Sequence, residues 1–231
     1  MKIKKIFLFI GLFLLFLFND LFYLIPLSIL KIDYNSLSYN TESILSLVGS
    51  ICTALIIFII YRKYLKSKII DYKANFKKYM DIGFKYWMIG LVSMFVSNIL
   101  ISLFSPVHEA NNEALVQEML KQAPFITFIS AALVAPFLEE MLFRKSFGDI
   151  FKNKKIMVIA SGILFGLLHV VFSMETSWDL LYVIPYGMLG YGFACSLEKT
   201  DNVYVPMTFH IIHNTILTLA SIIMTFLTEI L

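Results

Sequence analysis

Phe125-Ile-Thr-Phe-Ile-Ser-Ala-Ala-Leu-Val-Ala-Pro-Phe-Leu-Glu-Glu-Met-Leu-Phe-Arg144 is the stretch that decides the fold. It is long and apolar enough to cross a bilayer, yet it places two adjacent carboxyls, Glu139 and Glu140, at membrane depth. A charged side chain there costs about 2.5–3.5 kcal/mol on insertion scales, so the pair requires partners, a water-filled pocket, or both. Around it lies a chain of 231 residues that is 59% hydrophobic and 15% charged, with a mean hydropathy of +0.80. A soluble domain is nearer 45–50% apolar and about 25% charged. The composition therefore predicts an all-α, polytopic integral membrane bundle of seven to eight transmembrane helices, forming a single domain over 1–231.

Each crossing needs about 20 mostly apolar residues, and the charged clusters divide the chain into stretches at about 6–30, 43–61, 79–104, 124–147, 156–175, 178–197 and 203–229. The first, behind Lys2, Lys4 and Lys5, also has the outline of a signal peptide. No small-residue cleavage site follows it, and Asn19 and Asp20 interrupt a run that then resumes. An uncleaved, kinked or paired first helix is expected. Seven Lys or Arg fall in the connection Arg62 to Lys78, and Arg144, Lys145, Lys152, Lys154 and Lys155 gather between the fourth and fifth stretches. Segments 31–42 and 105–123 hold one Lys each. Basic residues in short connections mark the cytoplasmic side, which predicts a multi-pass cell-membrane protein with a cytoplasmic N-terminus. Residues 105–123 are then the one sizeable polar excursion on the outer side, with Asn111 to Lys121 a helix along the interface. Cys52 and Cys195 read as small buried hydrophobes.

Three sets of polar residues recur in the last four stretches: Glu139, Glu140 and Arg144; His169; and His210, His213 and Asn214. At 1.5 Å rise per residue the glutamates lie about 11–12 Å from the basic end, His210 to Asn214 about 11–17 Å and His169 about 20 Å, so three helices can bring them to one pocket open to the cytosol. Glu140 and Arg144, four apart, share a face and suit an ion pair. Glu139, turned about 100° away, is left to meet the histidines. His210 and Asn214 also share a face, with His213 bordering it, and Phe165 lies one turn before His169. A carboxylate in a low-dielectric cavity can take a proton from water with a histidine sharing the work. An amide and a second histidine can donate to a developing oxyanion. These are the parts of a peptidase that activates water directly.

Glu139-Glu140-Met-Leu-Phe-Arg144 matches EExxxR, Phe165-Gly-Leu-Leu-His169 matches FxxxH, and His210-Ile-Ile-His-Asn214 matches HxxxN. In this order the motifs resemble the CPBP family, the type II CAAX prenyl proteases with their bacteriocin-processing and bacteriocin-immunity relatives. The resemblance covers about residues 124–215 and implies a catalytic core there, in a glutamate-type intramembrane endopeptidase with its site on the cytosolic leaflet. In it Glu139 is the general base, His169 helps activate water, and His210 and Asn214 form the oxyanion site. Glu140 and Arg144 support them.

Other intramembrane proteases lack their signatures here. There is no HExxH run for a site-two zinc enzyme, Ser161-Gly162 follows Ala160 and Ile159 rather than the Gly-x of a rhomboid, and Gly190-Tyr-Gly192 continues into Phe193 rather than the Asp of a presenilin-like enzyme. His108-Glu109 meets Asn112 where a zinc motif has its second His. No cofactor is expected. Zinc is the alternative, with Glu139, His169 and His210 as three ligands beside an open position. The expected partners are membrane lipid and a peptide or protein substrate with a membrane-associated or cytosol-facing cleavage site, with no nucleic acid. Two rivals use the same pocket: a non-catalytic immunity or scaffold protein, and a small proton-relaying transporter.

Overall fold

The computed structural model describes residues 2–230. Helices α1 (Lys2–Leu17) and α2 (Leu21–Ile29) are bent by 56° at the break that contains Asn19 and Asp20. Then follow α3 (Tyr39–Ala74), α4 (Phe76–Phe104), the short α5 (Asn111–Gln122), the composite α6 (Pro124–Ile150), α7 (Lys154–Val171), α8 (Val183–Thr200) behind a 3₁₀ segment Ser177–Tyr182, and α9 (Tyr204–Ile230). Among the described residues there is no strand. Six helices are long and apolar enough to cross a membrane, or seven if the bent pair is one span. The broken first element and the all-helical class agree with the sequence reading.

The largest difference in element bounds is at Arg62 to Lys78, expected as a connection. α3 continues through it to Ala74 and α4 begins at Phe76. Lys, Tyr, Leu and Ile are compatible with helix and no Gly or Pro interrupts them. The turn falls at Asn75, whose amide folds back on Asp71. Polar side chains start other helices: Ser38 accepts from Thr41 N–H ahead of α3, and Asn153 from Lys155 and Ile156 N–H ahead of α7.

α8 is the central post, gripped by α4 and α7 through glycines. A Cβ on Gly162 of α7 would stand 2.9 Å from the carbonyl oxygen of Gly187, and one on Gly90 of α4 would stand 3.1 Å from that of Met188. Small residues let helix backbones approach in this way where lipid offers no hydrophobic drive for association. Cys195 is buried as expected, whereas Cys52 is only half-buried, and both are free thiols.

α6 departs most from a regular helix, with two π-helical stretches, Ile129–Val134 and Glu140–Ser146. In the first, Ala135 N–H bonds Ser130 O, five residues back. The same register would pair Ala131 O with residue 136, a proline without an N–H. That carbonyl instead accepts from Asn214 Nδ2 at 2.8 Å. In the second, Phe147 N–H bonds Leu142 O, and Phe143 O accepts from the buried Ser161 hydroxyl at 3.0 Å. Each π stretch thus has a carbonyl satisfied by a side chain from a neighbouring helix, as buried backbone groups require.

Candidate active site

Glu140 and Arg144 form the expected ion pair, with Arg144 Nε 3.2 Å from Glu140 Oε2 and neither side chain exposed. The guanidinium lies over the rings of Phe165 and Phe193, 4.7 and 5.7 Å from their centroids, and Nη2 donates to Gly190 O at 3.3 Å. Cation–π contact of this kind stabilises a desolvated cation. Gly190 makes room for the Phe165 side chain, because a Cβ there would meet Phe165 Cβ at 2.9 Å.

Glu140 does more than pair with arginine, because its Oε1 stands 2.9 Å from His210 Nδ1. The other nitrogen of that ring, Nε2, is 3.7 Å from Glu139 Oε2, and His169 Nε2 is 3.9 Å from the same oxygen. The structure therefore brings Glu139, Glu140, Arg144, His169 and His210 together, with His210 bridging the two carboxylates. His210 Nδ1 is thus engaged by Glu140, while Nε2 faces Glu139 beyond hydrogen-bond distance. Asn214 lines the same cavity, but one of its amide N–H groups is taken by Ala131 O.

His169 is held from both sides. Its Nδ1 is 2.9 Å from the carbonyl oxygen of Phe165, the Phe165 ring lies 4.3 Å away, and Tyr186 stacks on the other face at 4.8 Å. A carbonyl can only accept, so Nδ1 carries a proton and Nε2 is the nitrogen turned toward Glu139. Glu139 Oε2 is itself buried with no hydrogen-bond donor among the described residues.

These groups border a cavity of about 470 Å³. Met94 and Asn98 of α4, Val116 and Leu120 of α5, and Leu217 of α9 form its walls, and His108, Glu109, Asn112 and Glu113 its polar rim. So α5 is a wall of the site as well as a surface helix, and the discounted His108-Glu109 pair stands at the cavity. Lys145, Lys152 and Lys154 gather with Lys5 and Asp201 at the other end of the bundle. The cavity rim and the basic connections therefore lie at opposite ends.

Tyr186, Phe193, Trp87 and Glu113 were not singled out by sequence. The aromatic residues sit in runs indistinguishable from lipid-facing helix, and no spacing links them to the histidines. Among the described residues, no group of three or more His, Cys, Asp or Glu side chains is gathered into a metal-holding set.

A helical bundle thus brings residues of the glutamate, histidine and asparagine motifs to the wall of one cavity. Residues 121–216 match the family model described as type II CAAX prenyl endopeptidase Rce1-like, which bears out the resemblance carried by the three motifs. The chain is similar to "Putative membrane peptidase YdiL" of Bacillus subtilis, 27% identical over 116 residues covering 49% of this chain and 44% of that protein. It is also similar to two Lactococcus lactis proteins, UPF0177 protein YvdC (28% identical, 58% of this chain, 53% of that protein) and UPF0177 protein YxdF (25%, 58% and 75%). The chain thus spans about half the length of the first two relatives. No solved structure matches it.

Proposed function

We propose that the protein is an intramembrane endopeptidase that hydrolyses a peptide bond with water activated between Glu139 and His169. The observation that carries this reading is Glu139 Oε2 facing His169 Nε2 at 3.9 Å and His210 Nε2 at 3.7 Å at the wall of the cavity. Such separations suit one bridging water. That water gives a proton to Glu139, with the His169 lone pair sharing it, and its oxygen bonds the scissile carbonyl carbon. The tetrahedral intermediate then collapses, the C–N bond breaks, and the proton passes to the leaving amine. His210, anchored by Glu140 and Arg144, orients Glu139. Asn214, through its second N–H, donates toward the oxyanion.

The substrate is a peptide or protein segment reaching the centre from the bilayer or through the cavity rim, such as a leader peptide or a lipidated tail. The N-terminus and basic connections are placed on the cytoplasmic side by their charge. The reading is tested with purified full-length protein in detergent and a panel of fluorogenic leader peptides and a prenylated CAAX-type tail. Wild type, Glu139→Gln and His169→Ala are compared with and without a strong chelator. Cleavage abolished in both variants and retained in chelator supports this mechanism. Loss in chelator with rescue by zinc moves the chemistry to a metal held by the same residues. No cleavage, with both variants still protecting cells against a bacteriocin, makes the cavity a binding site.

A further inference from the structure

Of the residues that the resemblance assigned to the oxyanion, His210 has Nδ1 engaged by Glu140 and Nε2 facing the Glu139 carboxylate at 3.7 Å, and Asn214 gives one N–H to Ala131 O. A third residue of α9, His213, lies between them in sequence, is buried to 4% exposure and lines the same cavity. Its Nδ1 is 3.5 Å from Trp87 Nε1 of α4, and the two rings meet edge to face. Trp87 is fixed in turn by Phe84 and Phe209, with ring centroids 6.0 and 5.7 Å away.

An indole N–H only donates. Even a long bond to it requires a lone pair on His213 Nδ1, so the proton of the neutral imidazole sits on Nε2. No described residue engages that nitrogen, and no carboxylate is paired with this ring. Trp87 therefore makes His213 a neutral donor of fixed tautomer at the cavity wall, one residue from Asn214. Preorganised donors at the position where negative charge develops contribute most when they need no reorganisation.

Resting on the peptidase reading above, we propose that His213 Nε2–H is a catalytic oxyanion donor acting with Asn214, and that Trp87 is the positioning residue that sets its tautomer. Leucine at 213 removes the donor, whereas glutamine returns an amide N–H near the place of Nε2. Phenylalanine at 87 keeps the ring and removes its N–H.

The test uses the full-length protein and the peptide panel above, with Glu139→Gln as the reference for lost chemistry. His213→Leu is expected to lower kcat about 10²–10³-fold with KM within about twofold, because the contact forms in the transition state. His213→Gln is expected to recover a tenfold or larger part of that loss, and Trp87→Phe to lower kcat by less than His213→Leu. If His213→Leu keeps wild-type kcat, or His213→Gln is no better than His213→Leu, the proposal falls. If wild type and Glu139→Gln do not differ, it is the peptidase reading that falls. Independently of activity, ¹⁵N spectra of histidine-labelled wild type, assigned by the signal lost in His213→Gln, are expected to show His213 protonated at Nε2. A proton at Nδ1 overturns the proposal even where His213→Leu fails to fold.

Discussion

Asn214 Nδ2 donates to the carbonyl oxygen of Ala131 across 2.8 Å, tying the last helix to a π-helical stretch whose own partner position is Pro136. Removing the amide leaves a buried carbonyl unpaired, which costs about 1–3 kcal/mol. Asn214→Ala is expected to lower thermal stability as well as turnover. Pro136→Ala restores a backbone N–H at the right place, so Asn214→Ala should cost less in that background. A double-mutant cycle of melting in detergent that shows simple additivity would contradict this account.

Arg144 is enclosed by Phe165 and Phe193 and is, among the described residues, the one Lys or Arg paired with Glu140. Arg144→Met leaves a buried carboxylate without its guanidinium, and breaking such a pair costs about 3–5 kcal/mol. Adding Glu140→Gln should recover much of that loss. Denaturation midpoints of the two single variants and the double variant decide it: the double variant must be more stable than Arg144→Met.

Glu139 differs from its neighbour in having no ion pair with an arginine among the described residues, whereas Glu140 is paired with Arg144. Glu139→Gln is therefore expected to preserve melting temperature while lowering peptide cleavage about 10²–10⁴-fold, the range for a lost general base. Glu140→Gln should instead lower both. Equal melting losses in the two variants would show that the carboxylates are not divided by task.

Gly190 faces Phe165, whose backbone carbonyl and ring both hold His169. Gly190→Val forces Phe165 away at an overpacking cost of about 1–3 kcal/mol. Cleavage should fall further than stability, and Phe165→Ala in the same chain should restore folding without restoring turnover.

Glu113, on the cavity rim outside the membrane-spanning helices, has its carboxyl pushed above the ordinary range by burial, with Glu109 adding to the effect and Gln117 opposing it. A raised folded-state pKa favours the fold below the unfolded value of 4.5, and that contribution is lost as pH rises through the folded value. Glu113→Gln should therefore melt above wild type at pH 7, with the difference closing toward pH 4. A gap that widens on acidification would reverse the sign.

The apolar windows and their charged borders made the membrane class and most spans legible, because insertion depends on composition over about 20 residues and not on packing. The Glu140–Arg144 pair and the Phe165–His169 contact were equally legible, since residues four apart on a helix meet whatever surrounds them. The extension of α3 through Arg62 to Ala74 was obscured by reading charge as a connection, when basic residues are good helix formers.

The contacts between helices lay beyond such reading. That His210 would bridge Glu139 and Glu140, that Asn214 would answer a carbonyl of Ala131, and that Trp87 and Tyr186 would set two histidine rings depend on helix rotation and on π-helical stretches that shift the phase of α6. The same is true of the cavity rim, built from 105–123 at the end away from the basic connections. Spacing along one helix determines which residues share a face. Which faces meet, and which nitrogen of a ring carries the proton, is decided by partners far away in sequence, because satisfying buried polar groups is a condition on the assembled bundle.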